Sequence, residues 1–184
     1  MTAPRPTAAH RICGGFAAAA LLLALGGPGA APNALAQPAR ADFREEATLA
    51  CLKAAGPGRG VLDCVGRSAN ACMEATPGGD TTLGMTACLE AERLWWDARL
   101  NRAYGVRMKA AREADAEPPL RGPPSGQAAA LRTMQRAWIA WRDAACAYER
   151  STWQGGSGAL PATTACHMHE TARQTLVLEG RWEN

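Results

Sequence analysis

The chain has 184 residues, 47% of them hydrophobic, and a formal net charge of +3. This length and composition are typical of one globular domain with a core of ordinary size. A charge so close to neutral argues against the basic surfaces that bind nucleic acid or anionic membranes, so we expect neither partner.

Residues 1–36 have the layout of a cleaved export signal. Arg5 and Arg11 form a basic start, Phe16–Leu25 is apolar, and Ala34-Leu35-Ala36 provides small residues at a cleavage site. The apolar run is too short to span a bilayer, and the alternatives are an uncleaved anchor or a disordered tail. Removing the two arginines lowers the formal charge from +3 to +1. We therefore expect a periplasmic or secreted protein with no membrane attachment after cleavage.

The cysteines predict a disulfide framework. Cys13 leaves with the export signal, so six of the seven cysteines remain, and an even number in an exported chain is typical of disulfides. Each consecutive pair flanks a turn rich in glycine, so sequential pairing is favoured. The predicted bridges are Cys51–Cys64, Cys72–Cys88 and Cys146–Cys166. Loops of this size contribute about 3 kcal/mol each in the chain-entropy treatment.

Five helices are predicted along the remaining chain, and no strand-like alternation of useful length occurs. Asp42 and Glu45 form a capping box for the first helix, and Pro77 limits the second. The Pro/Gly-rich segment Pro118–Gly126 separates the third from the fourth, which starts at Ser125 or Gly126. The predicted helices cover about 43–54, 61–75, 82–114, 126–152 and 161–180.

These elements predict an all-α fold, a small disulfide-linked helical bundle of about five helices with long antiparallel central helices. We expect residues 37–70 to form an N-terminal helical extension and residues 71–180 to form the main helical domain.

Helical periodicity assigns a buried face to each long helix. On the fourth helix the apolar stripe comprises Leu131, Met134, Trp138, Trp141 and Ala145. On the third helix the predicted buried arc comprises Ala87, Ala91, Leu94, Ala98 and Met108. On the fifth helix it comprises Cys166, Leu176 and Val177, with His169 and Arg173 inside it.

Polar residues within these arcs predict an internal network that fixes helix packing. We expect Asp97 to be mostly buried and within hydrogen-bonding reach of Arg142 or Arg173, because desolvating an isolated carboxylate costs several kcal/mol. The predicted network comprises Asp97, Asn101, Tyr104, Gln135, Trp138, Arg142 and Arg173.

No catalytic residue, cofactor site or metal site is predicted, so we expect a non-enzymatic protein. General acid–base chemistry needs two converging carboxylates, and only Asp97 is predicted to face the core. His167 and His169 are two residues apart on a helix and point about 200° from each other, so they do not easily share a metal ion. No nucleophile elbow or strand-to-helix glycine loop is present.

The spacing of these residues resembles the LprI-type lysozyme-inhibitor N-terminal domain family over about residues 72–178. The resemblance rests on Cys88, Asp97-x-x-Leu100-Asn101-x-x-Tyr104, Gln135-Arg136-x-Trp138-x-x-x-Arg142-Asp143-x-x-Cys146, a Gly-Gly-Ser-Gly loop, Cys166 and Thr171-x-Arg173-x-x-x-Leu176. It implies an all-helical, disulfide-containing envelope domain that inhibits lysozyme. The chain departs from the lipid-anchored namesake because no cysteine stands at the predicted cleavage site, and residues 42–70 fall outside the common pattern.

The sequence therefore leaves two binding functions open, and a third hypothesis, an enzyme, has the least support because no catalytic constellation is present. The first is an exported envelope protein that inhibits lysozyme, and the second is a periplasmic structural or accessory protein that binds another envelope component. A lysozyme contact is expected outside the motif residues. The candidate partner-binding residues are Glu113, Asp115 and Glu117, which precede the Pro118–Gly126 segment and would attract a cationic enzyme.

Overall fold

The computed structural model describes residues 41–119, 122–123 and 126–182, and the predicted export signal lies outside this range. The described part is all-α, as the sequence predicts, and contains no strand. Its helices are α1 Glu46–Ala55, a 3-10 helix Arg59–Cys64, α2 Arg67–Ala75, α3 Thr82–Ala116, α4 Gln127–Thr152 and α5 Ala159–Leu178. None of the described helices combines the length and apolar character needed to cross a membrane.

The second predicted helix, 61–75, is in fact two elements. The 3-10 helix ends at Cys64, and α2 begins after Gly66, whose φ of 89° is a left-handed conformation that suits glycine. The predicted capping box of the first helix is also wrong. Glu45 occupies the N-cap position without a side-chain bond, and the amide of Asp42 donates to Thr76 Oγ1 at 3.0 Å.

Three disulfides join the elements in sequential order, as predicted. They are Cys51–Cys64, Cys72–Cys88 and Cys146–Cys166, with Cα–Cα distances of 5.4, 5.7 and 5.6 Å. Each links consecutive segments across one turn, so together they fix α1 to the 3-10 helix, α2 to α3, and α4 to α5.

The long helices pack around α5, which contacts both α3 and α4. α3 and α4 are antiparallel, because Asp115 contacts Ala128 near the start of α4 and Met108 contacts Arg132 further along it. α4 and α5 are also antiparallel, since Gln135 bonds Gln174 and Cys146 bonds Cys166. α5 has the most buried residues of the three and forms the centre of the bundle.

The main core includes the segment predicted as an N-terminal extension. Its buried members are Leu52, Val61, Cys64, Val65, Ala69, Trp96, Met168, Ala172 and Leu176. α1, the 3-10 helix and α2 therefore share one hydrophobic core with α3 and α5. A second, smaller cluster of Met108, Ala111 and Ala128 joins α3 to α4.

A buried carboxylate lies inside the main core. Glu92 is fully buried, and its Oε1 accepts from Thr48 Oγ1 at 3.0 Å, from the Gly66 amide at 2.9 Å and from Trp96 Nε1 at 3.0 Å. Its Oε2 accepts from the Ala69 amide at 2.6 Å. Among the described residues no cation pairs with Glu92, so these four donors stabilise the carboxylate.

The position of Glu92 shows that the predicted buried face of α3 is rotated by about one residue. In the first half of α3 the buried positions are Cys88, Glu92, Trp96 and Leu100, whereas Leu94 and Ala98, predicted to be buried, are exposed. In the second half Met108 is buried, as predicted. The prediction followed apolar side chains and placed the glutamate outside. The disulfide-bonded Cys88, four residues before Glu92, is the sequence signal that could have fixed the correct phase.

Candidate binding surface

The predicted bridge from Asp97 to an arginine is wrong. Asp97 is half-buried, and its Oδ2 accepts from Asn101 Nδ2 at 3.1 Å on the same helix. Arg142 donates to Asp143 Oδ1 at 2.8 Å, and Arg173 lies over Trp182 with 4.5 Å between its Cζ and the ring centroid. The error follows from the rotated face of α3, which turns Glu92 rather than Asp97 into the core.

The other predicted network residues take part in separate contacts instead of one network. Tyr104 is half-buried against the smaller cluster between α3 and α4. Gln135 accepts from Gln174 Nε2 at 3.0 Å, which links α4 to α5. The guanidinium of Arg142 lies over Trp138, with 5.0 Å between the Arg142 Cζ and the ring centroid. Arg173 and also His169, predicted inside the buried arc of α5, are exposed.

α4 is much more exposed than its apolar stripe predicts. Of its 26 residues only Ala128 and Cys146 are buried. Within the predicted stripe, Leu131, Trp138 and Ala145 are half-buried, whereas Met134 and Trp141 are exposed, Trp141 to 51%. α4 contacts α3 and α5 on one side, and the described residues place no further helix on its other side. The result is an apolar and aromatic surface.

A groove of about 380 Å³ opens between α4, α5 and the segment after α5. Its lining residues are Met134, Trp138, Trp141, Glu170, Arg173, Gln174, Val177 and Trp182. The Glu170 side chain is half-buried in this groove, and its buried Oε2 has no hydrogen-bonding partner among the described residues. A carboxylate oxygen left without a donor is costly, and because the side chain is only half-buried, its carboxylate is a candidate for accepting a hydrogen bond from a donor outside the chain.

A second groove, of about 560 Å³, lies between α3 and the end of α5. Arg99 crosses this region and donates to both carboxylate oxygens of Glu179 at 2.6 and 2.9 Å. Arg107 Nε donates to the carbonyl oxygen of Leu178 at 2.6 Å. These two arginines therefore connect α3 to the C-terminal end of α5.

The predicted partner-binding acids have different roles in the structure. Asp115 accepts from the amides of Gln127 at 2.8 Å and Ala128 at 2.9 Å, so it caps the N-terminus of α4. Glu113 is exposed and lies 3.9 Å from Lys109 Nζ, and Glu117 is exposed at the end of α3. Asp115 is thus a capping residue, and Glu113 and Glu117 are the two acids of this set that are solvent-exposed.

His167 directly follows the disulfide-bonded Cys166 on α5. Its Nδ1 lies 3.9 Å from Asp143 Oδ1. Burial, followed by the nearby Arg142 guanidinium, lowers the pKa of His167, although Asp143 acts in the opposite direction. The neutral imidazole is therefore favoured in the folded protein. Among the described residues, no three histidine, cysteine or acidic side chains are grouped so as to hold a metal ion.

The chain is similar to two proteins of known sequence. The chain is 32% identical over 168 residues to an uncharacterized 17.7 kDa protein in the puhA 5' region of Rhodobacter capsulatus, covering 87% of this chain and 93% of that one. It is 27% identical over 140 residues to an uncharacterized protein of Rhizobium meliloti (strain 1021), covering 72% of this chain and 98% of that one. No solved structure matches the chain.

The part of the chain that contains the three long helices matches a known protein family. The family described as lysozyme inhibitor LprI matches residues 72–178, a range that takes in the last turn of α2 and the whole of α3, α4 and α5. The chain belongs to the LprI lysozyme-inhibitor family.

Proposed function

We propose that this protein is exported and inhibits lysozyme by binding it, without catalysing a reaction of its own. The family supports the partner, because its description is that of a lysozyme inhibitor. Three disulfides support an oxidising compartment outside the cytoplasm. The basic and apolar segments of residues 1–36 support export through a cleaved signal.

The observation that carries the proposal is the exposed aromatic surface of α4. On one face of α4 the large exposed side chains are Met134, Trp141 and Tyr148, which recur every seven residues. Exposed tryptophan and tyrosine are enriched at the centres of protein interfaces, where their burial contributes much of the binding energy. Because α4 contacts the bundle on one side only, these side chains can bind a partner without leaving the hydrophobic core.

The acidic residues beside the α3–α4 connection are a proposed second contact. Glu113 and Glu117 are exposed there and would attract a cationic lysozyme. Asp115 is excluded from this contact because its carboxylate caps α4.

Overall charge favours the alternative, a periplasmic structural or accessory protein that binds another envelope component. The formal charge is +3 for the whole chain and +1 without Arg5 and Arg11, so the protein as a whole does not attract a cationic enzyme. A lysozyme contact must then depend on local complementarity, whereas a neutral partner needs no acidic surface.

A lysis assay with purified protein tests the proposal. We expect the wild-type protein to slow lysozyme-driven clearing of a cell-wall suspension, and Trp141→Ala to weaken inhibition without changing the melting temperature. Leu83→Ala is the control, because Leu83 is an exposed apolar residue at the start of α3 and does not line the groove beside Trp141. If lysozyme stays fully active in a large excess of wild-type protein, the inhibitor function is rejected and the accessory function is retained. Amino-terminal sequencing of the exported protein, expected to begin at Gln37, tests the signal.

A further inference from the structure

The groove between α4, α5 and Trp182 has an unusual balance of polar groups. Gln174 uses its amide to bond Gln135 across the two helices at 3.0 Å. Arg173 lies over the Trp182 ring and makes no salt bridge with Glu170, one turn before it on α5. The half-buried Glu170 carboxylate therefore lies in the groove without a cation beside it, and the described residues supply no donor to its Oε2.

Two of the three tryptophans that line the groove are in contact with an arginine guanidinium of the same chain. Trp138 carries the guanidinium of Arg142 at 5.0 Å from its ring centroid, and Trp182 carries that of Arg173 at 4.5 Å. Trp141, the third tryptophan of the groove, is 51% exposed and has no such contact among the described residues. Each ring face attracts a cation through its quadrupole, so the Trp141 face is available to a cation from another molecule.

We propose that this groove receives an arginine side chain of lysozyme, with its guanidinium bound by Glu170 and stacked on Trp141. The inference rests on the proposed function for the identity of the partner. A guanidinium supplies a planar set of donors that suits a carboxylate and an aromatic face together. Met134 and Val177 line the same groove and provide apolar contact for the aliphatic part of the side chain.

The chemistry favours an arginine over a sugar. A sugar ring stacks on tryptophan, but its hydroxyl groups offer the carboxylate only neutral hydrogen bonds, whereas a guanidinium offers charge-assisted ones. Of the three tryptophan rings in the groove, Trp138 and Trp182 already stack with guanidinium groups of the chain itself. We propose the same kind of contact for Trp141.

Glu170→Gln is the decisive variant, because it keeps the shape of the side chain and removes its charge. We expect the Kd for purified cationic lysozyme, measured by calorimetry, to rise roughly tenfold or more, with a weaker dependence of Kd on salt. The melting temperature should be unchanged or higher, since the substitution removes a carboxylate that lacks a partner. If Glu170 had only a structural role, Glu170→Gln would instead lower the melting temperature. Glu74→Gln, an exposed acid on α2, is the matched control and should bind as the wild type does.

The outcomes separate this inference from the proposed function. If the wild-type protein binds lysozyme and Glu170→Gln binds equally well, the arginine site is overturned while the inhibitor function stands. If the wild type does not bind lysozyme at all, both are overturned. Lysozyme whose arginines are blocked with phenylglyoxal should lose affinity for the wild type and little for Glu170→Gln. Binding of an N-acetylglucosamine oligomer that Trp141→Ala abolishes, with unchanged lysozyme binding, would overturn the inference in favour of a glycan groove.

Discussion

The carboxylate of Glu92 accepts a hydrogen bond from the amide of Ala69 at 2.6 Å, so a residue of α3 caps the first turn of α2. Gly66, at the N-cap position of α2, has no side chain to do this and donates its own amide to Glu92 at 2.9 Å. Asp115, also on α3, has the same role for α4, whose N-cap is Gly126. In both places a glycine N-cap is combined with a carboxylate from another helix, which satisfies amides that would otherwise lack acceptors.

The first prediction is that Glu92→Ala greatly lowers the free energy of unfolding. The substitution leaves Thr48, Gly66, Ala69 and Trp96 with buried donors that lose their acceptor, and the expected loss is about 3 kcal/mol or more. Urea denaturation followed by circular dichroism measures it. Asp97→Ala is the control on the same helix and should cost less than about 1 kcal/mol, because the half-buried Asp97 accepts its hydrogen bond from the exposed Asn101 one turn along the same helix. Equal losses in the two variants would contradict the buried role of Glu92.

The second prediction separates the three acids before the α3–α4 connection. Asp115→Ala should lower the free energy of unfolding by about 1–2 kcal/mol, because it removes the acceptor of two N-terminal amides of α4. Glu113→Ala and Glu117→Ala should stay within about 0.5 kcal/mol of the wild type, since both side chains are exposed. Thermal melts of the three single variants provide the measurement. If Asp115→Ala leaves the melting temperature unchanged, water must satisfy the N-terminal amides of α4 as well as Asp115 does.

The third prediction concerns the ion pair between Arg99 and Glu179. Arg99→Lys should lower the free energy of unfolding by about 1–2 kcal/mol although it keeps the charge, because lysine lacks the planar fork that places two parallel donors on the two carboxylate oxygens. It also loses the stacking of the guanidinium over Trp95 and Trp96, at 5.5 and 5.7 Å. Arg102→Lys, an exposed position on the same helix, is the control and should have little effect. Chemical denaturation of both variants measures this loss of stability. An unchanged denaturation midpoint for Arg99→Lys would contradict the prediction.

The fourth prediction is that the protein loses stability as the pH falls from about 7 to 5, in part through His167. Its pKa in the folded protein lies below the ordinary value of 6.5, chiefly because of burial and secondly because of Arg142. The unfolded chain therefore takes up the proton first. The contribution of His167 to stability is complete above about 6.5 and is lost as the pH falls through the folded-state pKa. His167→Gln should show a smaller decrease in denaturation midpoint between pH 7 and pH 5. An identical decrease in both proteins would assign the pH dependence to other groups.

The sequence by itself determined the helical class, the connectivity of the cysteines and the approximate extent of α3, α4 and α5. These features depend on local signals, because each cysteine pair flanks one turn and each long helix is bounded by glycine or proline. The break between the 3-10 helix and α2 was missed, since the left-handed conformation of Gly66 becomes necessary only when its amide reaches Glu92.

Only the tertiary structure decided which polar residue is buried and which apolar residues are exposed. Periodicity fixes the spacing of a helix face but not its rotation, so Asp97 was placed where Glu92 lies, and the donors that make Glu92 tolerable come mostly from α1 and α2. Periodicity also gives no count of the neighbours that a helix will have. Trp141 was therefore predicted in the core, whereas α4 packs on one side only and leaves that side chain on the surface, where it forms part of the candidate binding groove.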